Sequence, residues 1–255
     1  MRLEFQNVSF EYESSRPLLR NLSFQAGPSE FLLIVGQNGV GKSTLLKLCN
    51  GILKPAAGRV LLGQMNTAEH RTSLLAREIC VTFQNPADQI FAPTVAQEVE
   101  FAPQNLKRAN PAGLAMQAMA LCGLDTVATR HPYDLPPAQR KLLTVASAVA
   151  SAAPLLAFDE PSAGLSQLEQ KGLEKLLASL RLENRGLIVV SHDLSLFLRY
   201  ATKLLVLRQN ETLYYGEPQW LVANERVLRK AGLRLPIPDR VSRMLGRQGN
   251  RSYAE

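Results

Sequence analysis

With 255 residues, 46% of them hydrophobic, the chain has apolar material for one large or two small globular domains. No stretch reaches the roughly 18 uninterrupted apolar residues of a membrane span, and the opening MRLEFQNVSF lacks the apolar core of a signal peptide, so a soluble, cytoplasmic protein is expected. The formal net charge of +7 fits nucleic acid, anionic lipid or an acidic partner and does not choose among them.

In chain order, LEFQNVSFEY and LRNLSFQAG alternate apolar and polar residues and are bridged by the turn-like ESSRP, which predicts an antiparallel pair. FLLIVG is a continuous apolar run, the pattern of a central strand buried on both faces. KSTLLKLCNG then predicts a helix carrying Leu45, Leu46 and Leu48, stopped by Gly51 and Pro55. RVLLG, ICVTFQ, PLLAFD, GLIVVSH and KLLVLRQ supply further strands. Between Gln84 and Leu155 the pattern turns helical, with AGLAMQAMALCGL and RKLLTVASAVASA rich in Ala and Leu. The expectation is an α/β core with a helical insertion. Cys49, Cys80 and Cys122 stand singly in apolar segments without CxxC spacing, as packing residues rather than zinc ligands or disulfides.

The strongest chemical signal is GQNGVGKST, comprising Gly36, Gln37, Asn38, Gly39, Val40, Gly41, Lys42, Ser43 and Thr44. It matches the GxxxxGK[ST] phosphate-binding loop, placed as the chemistry requires between an apolar strand and a helix. Glycines let the backbone wrap an anion, and the helix N-terminus adds donors and its positive dipole end. Lys42 is then placed to reach the β and γ phosphates, and Ser43 to ligate Mg²⁺. Downstream, PLLAFDEP ends a strand on two carboxylates: Asp159 can hold Mg²⁺ through water and Glu160 can polarise an attacking water. GLIVVSHD ends another strand on His192, suited to contact a γ-phosphate, and Gln84 closes ICVTFQ, its amide able to bridge metal or water to the helical insertion. Alone, a strand-end histidine or glutamine would be unremarkable; the phosphate loop gives them meaning.

In this order the motifs resemble the nucleotide-binding subunits of ATP-binding cassette (ABC) transporters, over nearly the whole chain. The resemblance implies an α/β P-loop NTPase core with an antiparallel β subdomain and a helical subdomain. It places the ATP-binding domain at 1–235, the helical subdomain at about 85–150, and a basic tail at 236–255. GQNGVGKS corresponds to the Walker A loop, LLAFDEP to the Walker B strand with Glu160 as catalytic base, Gln84 to the Q-loop residue and His192 to the switch histidine; Tyr12 in VSFEY matches the aromatic that stacks on adenine. The segment FQNPADQIFAPTVAQEVEFAPQNL is more discriminating, and with AGLRLPIP it resembles the ATPases of energy-coupling factor importers, including the cobalt and nickel type. That implies ATP and Mg²⁺ as cofactors and a peripheral position on the cytoplasmic face of the membrane. The implied partners are a second ATPase subunit, a transmembrane coupling subunit and a substrate-binding membrane subunit, with no nucleic acid. The cargo would be a vitamin or a transition-metal ion.

Two departures stand out. The family signature LSGGQ aligns with Leu135, Pro136, Pro137, Ala138 and Gln139, losing the serine and both glycines that cap the γ-phosphate of the opposite subunit. A charge-assisted hydrogen bond contributes roughly 1.5–3 kcal/mol, so losing two weakens dimer closure by about a hundredfold or more. Ser166 also stands where the family carries its D-loop aspartate. The chain thus keeps its own half-site and lends a damaged half to a neighbour, which implies a heterodimer; alternatively Ala138 and Gln139 N–H groups carry the contact. Two other classes share the nucleotide motifs. A soluble ABC ATPase of DNA repair or translation lacks reason for the importer-like wording after Gln84, and a non-hydrolysing regulator lacks reason for Glu160 and His192. The basic run Arg226, Arg229, Lys230, Arg234, Arg240, Arg243, Arg247 and Arg251 suits either anionic headgroups or a solvated tail.

Overall fold

The computed structural model describes residues 1–13, 17–192, 194–220 and 225–232; most of the basic run and the segment after Gly232 lie outside the described residues. Two sheets carry the architecture. Strands β1 (Leu3–Phe10), β2 (Leu19–Ala26), β4 (Ala57–Leu62) and β5 (Met65–Asn66) form an antiparallel sheet in the order β2-β1-β4-β5. The second sheet has the order β10-β9-β3-β8-β7-β6, from β3 (Phe31–Gly36), β6 (Ile79–Thr82), β7 (Leu155–Asp159), β8 (Gly186–Val190), β9 (Lys203–Arg208) and β10 (Glu211–Gly216). All its pairs are parallel except β9 with the edge strand β10.

The apolar runs explain the layering. Side chains alternate across a strand, so a run that is apolar at every position must be covered on both faces. In β3, Leu32 and Ile34 join a core with β1, β2 and helix α1 (Lys42–Cys49), while Phe31, Leu33 and Val35 join a second core on the other face. β7 and β8 divide in the same way, with Leu155, Ala157, Ile188 and Val190 on the first side and Leu156, Phe158, Leu187 and Val189 on the second. The short helix α2 (Thr72–Leu75) contributes its buried Leu75 to the first core.

Between β6 and β7 the chain forms helices α3 (Val95–Asn105), α4 (Pro111–Leu121) and α5 (Pro137–Ala150), which pack on one another. Local chemistry starts the first two: the Thr94 side chain accepts from Gln97 N–H, and Asn110 accepts from Gly113 N–H with Pro111 at the first helical position. Small residues such as Ala115, Ala118 and Ala146 let the helices approach closely, and all three are buried. The buried Glu98 carboxylate accepts from the N–H groups of Phe91 and Ala92 at 3.0 and 2.8 Å, fixing the chain that enters α3.

The expected strands and the helical stretch after Gln84 are present. The structure adds α6 (Gln167–Leu182) and β10, which the strand and helix signals above do not include. α6 has a clear helical period, burying Leu173, Leu176, Leu177 and Leu180. β10 is half-buried along its length because it closes the sheet's edge, so it shows no sharp alternation. A helix α7 (Leu194–Phe197) follows β8, and a short helix Glu225–Lys230 lies near the end of the described chain.

Gly58 in β4 faces an irregular stretch of β1, where the pairing shifts between Gln6 and Ser9 and Asn7 takes a φ of 52°. Gly58 itself has a φ of 75°, and a Cβ there would sit 2.3 Å from the Asn7 carbonyl and 2.4 Å from that of Gln6. Both obstacles are backbone, so the strands must separate to admit a methyl. Gly58→Ala is therefore expected to cost about 2 kcal/mol or more, through positive φ and overpacking together. Urea unfolding midpoints of the two proteins check this, and coincident midpoints would show that the irregular stretch yields freely.

Candidate functional site

The parallel strands β3, β6, β7 and β8 all open at their carboxyl ends toward one edge of the sheet, where loops rather than ladder bonds must satisfy the backbone. A cavity of about 480 Å³ lies there, lined by Leu18, Asn38, Gly39, Gly41, Lys42, Ser43, Thr44, Gln84, Asp159 and Glu160. Residues scattered over more than a hundred positions of sequence are thereby brought together.

The glycine-rich loop turns from β3 into α1. Gly41 takes a φ of 101° at the helix cap, a conformation open to glycine, and no side chain caps the helix. The first turn of α1 contains no acidic residue, so its N–H groups and dipole face the cavity without a built-in anion. Lys42 is buried and folds back so that its Nζ donates to the carbonyls of Gly36 and Gln37 at 2.8 and 3.0 Å. Burial lowers its pKa, while the nearby charges of Glu160 and Asp159 act in the opposite direction. Val40 is buried, whereas Gln37, Asn38 and Gly39 are exposed, and Asn38 and Gly39 line the cavity.

Asp159 ends β7 almost fully buried, and burial raises the pKa of its carboxyl. A hydrogen bond with the Ser43 side chain and the charges of Lys141 and Lys42 pull it back down, whereas Glu160 pushes it further up. A hydroxyl and a buried carboxylate side by side are oxygen donors of the kind that a hard divalent cation such as Mg²⁺ takes. Gln84, two residues beyond β6, lines the same cavity.

Glu160 begins the next turn with a φ of 48°. Its carboxylate accepts from the backbone N–H of His192 at 3.1 Å and lies 2.9 Å from His192 Nδ1, with the Ser191 hydroxyl donating at 3.4 Å. His192 itself is largely exposed, with its side chain reaching back from the end of β8. Tyr12 stands beside the cavity, its hydroxyl 3.1 Å from that of Thr44 and its ring edge-on to Phe10. Tyr12 is 44% exposed.

The two departures from the family pattern have local structural accounts. Pro136 is the N-cap of α5 and Pro137 its first residue, where missing N–H groups do no harm to the helix. Arg140 N–H already bonds the Pro136 carbonyl, and Gln139 Oε1 is buried with no hydrogen-bond partner among the described residues. Ser166 caps α6: its hydroxyl accepts from Glu169 N–H while the Glu169 carboxylate accepts from Ser166 N–H at 2.7 Å. The spacing SQLE carries this capping-box signal openly.

Sequence reasoning missed Lys141 and Ser191. Lys141 is buried in the second turn of α5 and donates to carbonyls at the ends of β6 and β7. The trace in sequence is slight: Lys141 is the second of two adjacent cations, Arg140 and Lys141, that lead into the mostly apolar run LLTVASAVA.

Comparison with known proteins agrees with this geometry. A family model described as ABC transporter matches residues 19–163, more than half of the chain. A putative ABC transporter ATP-binding protein of Pyrococcus furiosus is 36% identical over 84% of this chain and 83% of its own length. The energy-coupling factor transporter ATP-binding protein EcfA of Methanocaldococcus jannaschii is 31% identical over 97% of this chain and 90% of its own. Among solved structures, cbiO1 of Clostridium perfringens, part of the ABC transporter complex cbiONQ, superposes with a TM-score of 0.77 at 29% identity, covering 92% of this chain and 95% of that one. A dimeric bacterial ABC transporter cassette, at 23% identity and a TM-score of 0.78 over 85% of this chain and 98% of that one, shares the fold. With a glycine-rich loop and two carboxylates at a strand end lining one cavity, and with relatives of this kind over nearly its full length, the chain belongs to the ABC transporter ATPases.

Proposed function

We propose that this ATPase energises an energy-coupling factor-type importer of a micronutrient, a vitamin or a transition-metal ion, as one half of an asymmetric ATPase dimer. One observation carries the asymmetry: Lys42, Ser43, Gln84, Asp159 and Glu160 line one cavity, while the helix that would cap a neighbour's phosphate opens on Pro136 and Pro137. The importer type rests on relatives named as energy-coupling factor ATP-binding proteins and on the segment after Gln84 that reads like theirs. In such an assembly the chain sits peripherally on the cytoplasmic face of the membrane, against a coupling subunit and a substrate-binding subunit; none of its described helices is long and apolar enough to cross.

In this reading ATP lies over α1, with its phosphates on the N–H groups of 36–44 and its adenine against Tyr12. Lys42 exchanges the Gly36 and Gln37 carbonyls for phosphate oxygens. Ser43, Asp159 and Gln84 would hold Mg²⁺, which when bound offsets the charge of the β and γ phosphates. Glu160 acts as general base toward water, for which its carboxylate must release the Nδ1 contact with His192; His192 is then placed to face the γ-phosphate.

Lys42→Ala removes the main charge facing the triphosphate and is expected to lower ATP affinity by about tenfold or more. Glu160→Gln keeps shape and binding but cannot take a proton, so hydrolysis should fall by roughly 10²–10⁴. Equilibrium nucleotide binding and phosphate release separate the two, and wild-type turnover in Glu160→Gln would remove its role as base.

The asymmetry has its own test. The chain alone should bind ATP yet hydrolyse it slowly, and mixing it with a partner ATPase that carries an intact LSGGQ should raise turnover. In the mixture, Glu160→Gln in this chain should abolish most hydrolysis, and the equivalent change in the partner much less. The triple variant Pro136→Ser, Pro137→Gly, Ala138→Gly should promote ATP-driven self-association. Steady-state ATPase and size-exclusion chromatography check this; vigorous cooperative hydrolysis by the chain alone, unchanged in the triple variant, would show that the prolines are harmless.

A further inference from the structure

We propose that Lys141 is a positioning residue of the nucleotide site, fixing the Asp159–Glu160 turn and the Gln84 backbone to each other from the first turns of α5. This rests on the nucleotide-site reading above.

Lys141 is 4% exposed, and its Nζ donates to the carbonyls of Gln84 at 2.8 Å, Asp159 at 3.0 Å and Phe83 at 3.4 Å. An ammonium has three protons, and here they meet three backbone acceptors rather than a carboxylate. These carbonyls lie just past the point where β6 and β7 stop pairing, the last ladder partners being Thr82 and Phe158. Beyond the ladder each carbonyl needs a new donor, and one cation provides for all three. The neighbouring strand ends are thus joined by a side chain where the sheet no longer joins them.

The consequence for chemistry lies in one peptide plane. The carbonyl between Asp159 and Glu160 is held by Lys141, and the N–H of the same peptide donates to the Val190 carbonyl at 2.9 Å. Pinned at both ends, this plane sets the direction in which Asp159 and Glu160 leave the backbone. Glu160 needs such a restraint, because its φ of 48° is a conformation that non-glycine residues keep only where the surroundings enforce it. An apolar side chain could fill the same volume without the cost of burying a charge. What it could not do is donate to Gln84 and Asp159 together.

The test uses Lys141→Met, which keeps the length of the stem without its donors, and Lys141→Arg, which keeps charge and donors; turnover is read with the chain mixed with a partner ATPase that carries an intact LSGGQ, and nucleotide binding with the chain alone. Two quantities are read: phosphate release at varied ATP, and the affinity for a fluorescent ATP analogue with Mg²⁺ and with EDTA. In EDTA, wild type and Lys141→Met should bind alike, since the phosphate loop is untouched. With Mg²⁺ the wild-type affinity should rise and that of Lys141→Met should rise much less. The kcat of Lys141→Met should fall about tenfold to a hundredfold, as for displacements near 1 Å at a reacting centre, with KM for ATP within about threefold. Lys141→Arg should recover much of the loss. A folded Lys141→Met protein with wild-type kcat and a wild-type Mg²⁺ increment overturns the positioning role. Equal losses in Lys141→Met and Lys141→Arg assign the effect to packing and overturn it too. If Lys141→Met does not melt cooperatively, Lys141→Gln, which keeps an N–H donor pair without the charge, is read in its place: a partial loss supports the role and wild-type behaviour overturns it. A wild-type chain that binds no nucleotide with or without Mg²⁺ fails the site reading itself, a distinct result.

Discussion

Four ionisable side chains, Lys42, Lys141, Asp159 and Glu160, lie together at the carboxyl edge of the parallel sheet, none of them more than 8% exposed. Burying charge is expensive unless each group is paired or hydrogen-bonded, so the surrounding backbone has to be arranged to satisfy them. The two lysines are met mainly by carbonyl oxygens of loops, Gly36 and Gln37 for one, Phe83, Gln84 and Asp159 for the other. The two carboxylates are met by hydroxyls, an amide and an imidazole. The loops that follow β3, β6, β7 and β8 each make one of these contacts. The site is therefore a property of the sheet's termination, and the hydrophobic strands behind it are what hold the ends in place.

The arrangement also suits a site that must change state. Lys42 rests on the loop's own carbonyls, a partner set that phosphate oxygens can replace without leaving a buried charge unpaired. Glu160 rests against His192 from the neighbouring strand end, so the proposed base and the proposed phosphate contact hold one another. Both resting contacts are satisfied, and both use the groups that the proposed chemistry needs.

The signature region separates architecture from chemistry. Proline at a helix start leaves the helix intact, because the N–H groups it removes have no partner inside the helix. α5 accordingly packs against α3 and α4 and delivers Lys141 to the site. What the prolines remove are N–H donors at the exposed start of α5. Ser166 illustrates the same division, since its hydroxyl is engaged in capping α6.

Strand identities and the phosphate loop were legible in the sequence because they are local: an apolar run such as FLLIVG demands burial on both faces, and GQNGVGKST can wrap an anion by its own backbone. The candidate positions Gln84, Asp159, Glu160 and His192 were legible for a related reason, since each lies at or within two residues of the end of a strand, and parallel strands end at one edge. α6 was also written there, in its leucine spacing and its Ser166–Glu169 cap, whereas β10 was not, because a half-exposed edge strand has no sharp alternation. Only the tertiary structure decided that Glu160 rests on His192, that Tyr12 meets Thr44, and that Lys141 binds three carbonyls. These contacts join residues 18 to 58 positions apart. Their distances depend on the stacking order of strands and on where α5 lies across them, and no local pattern of side chains encodes either.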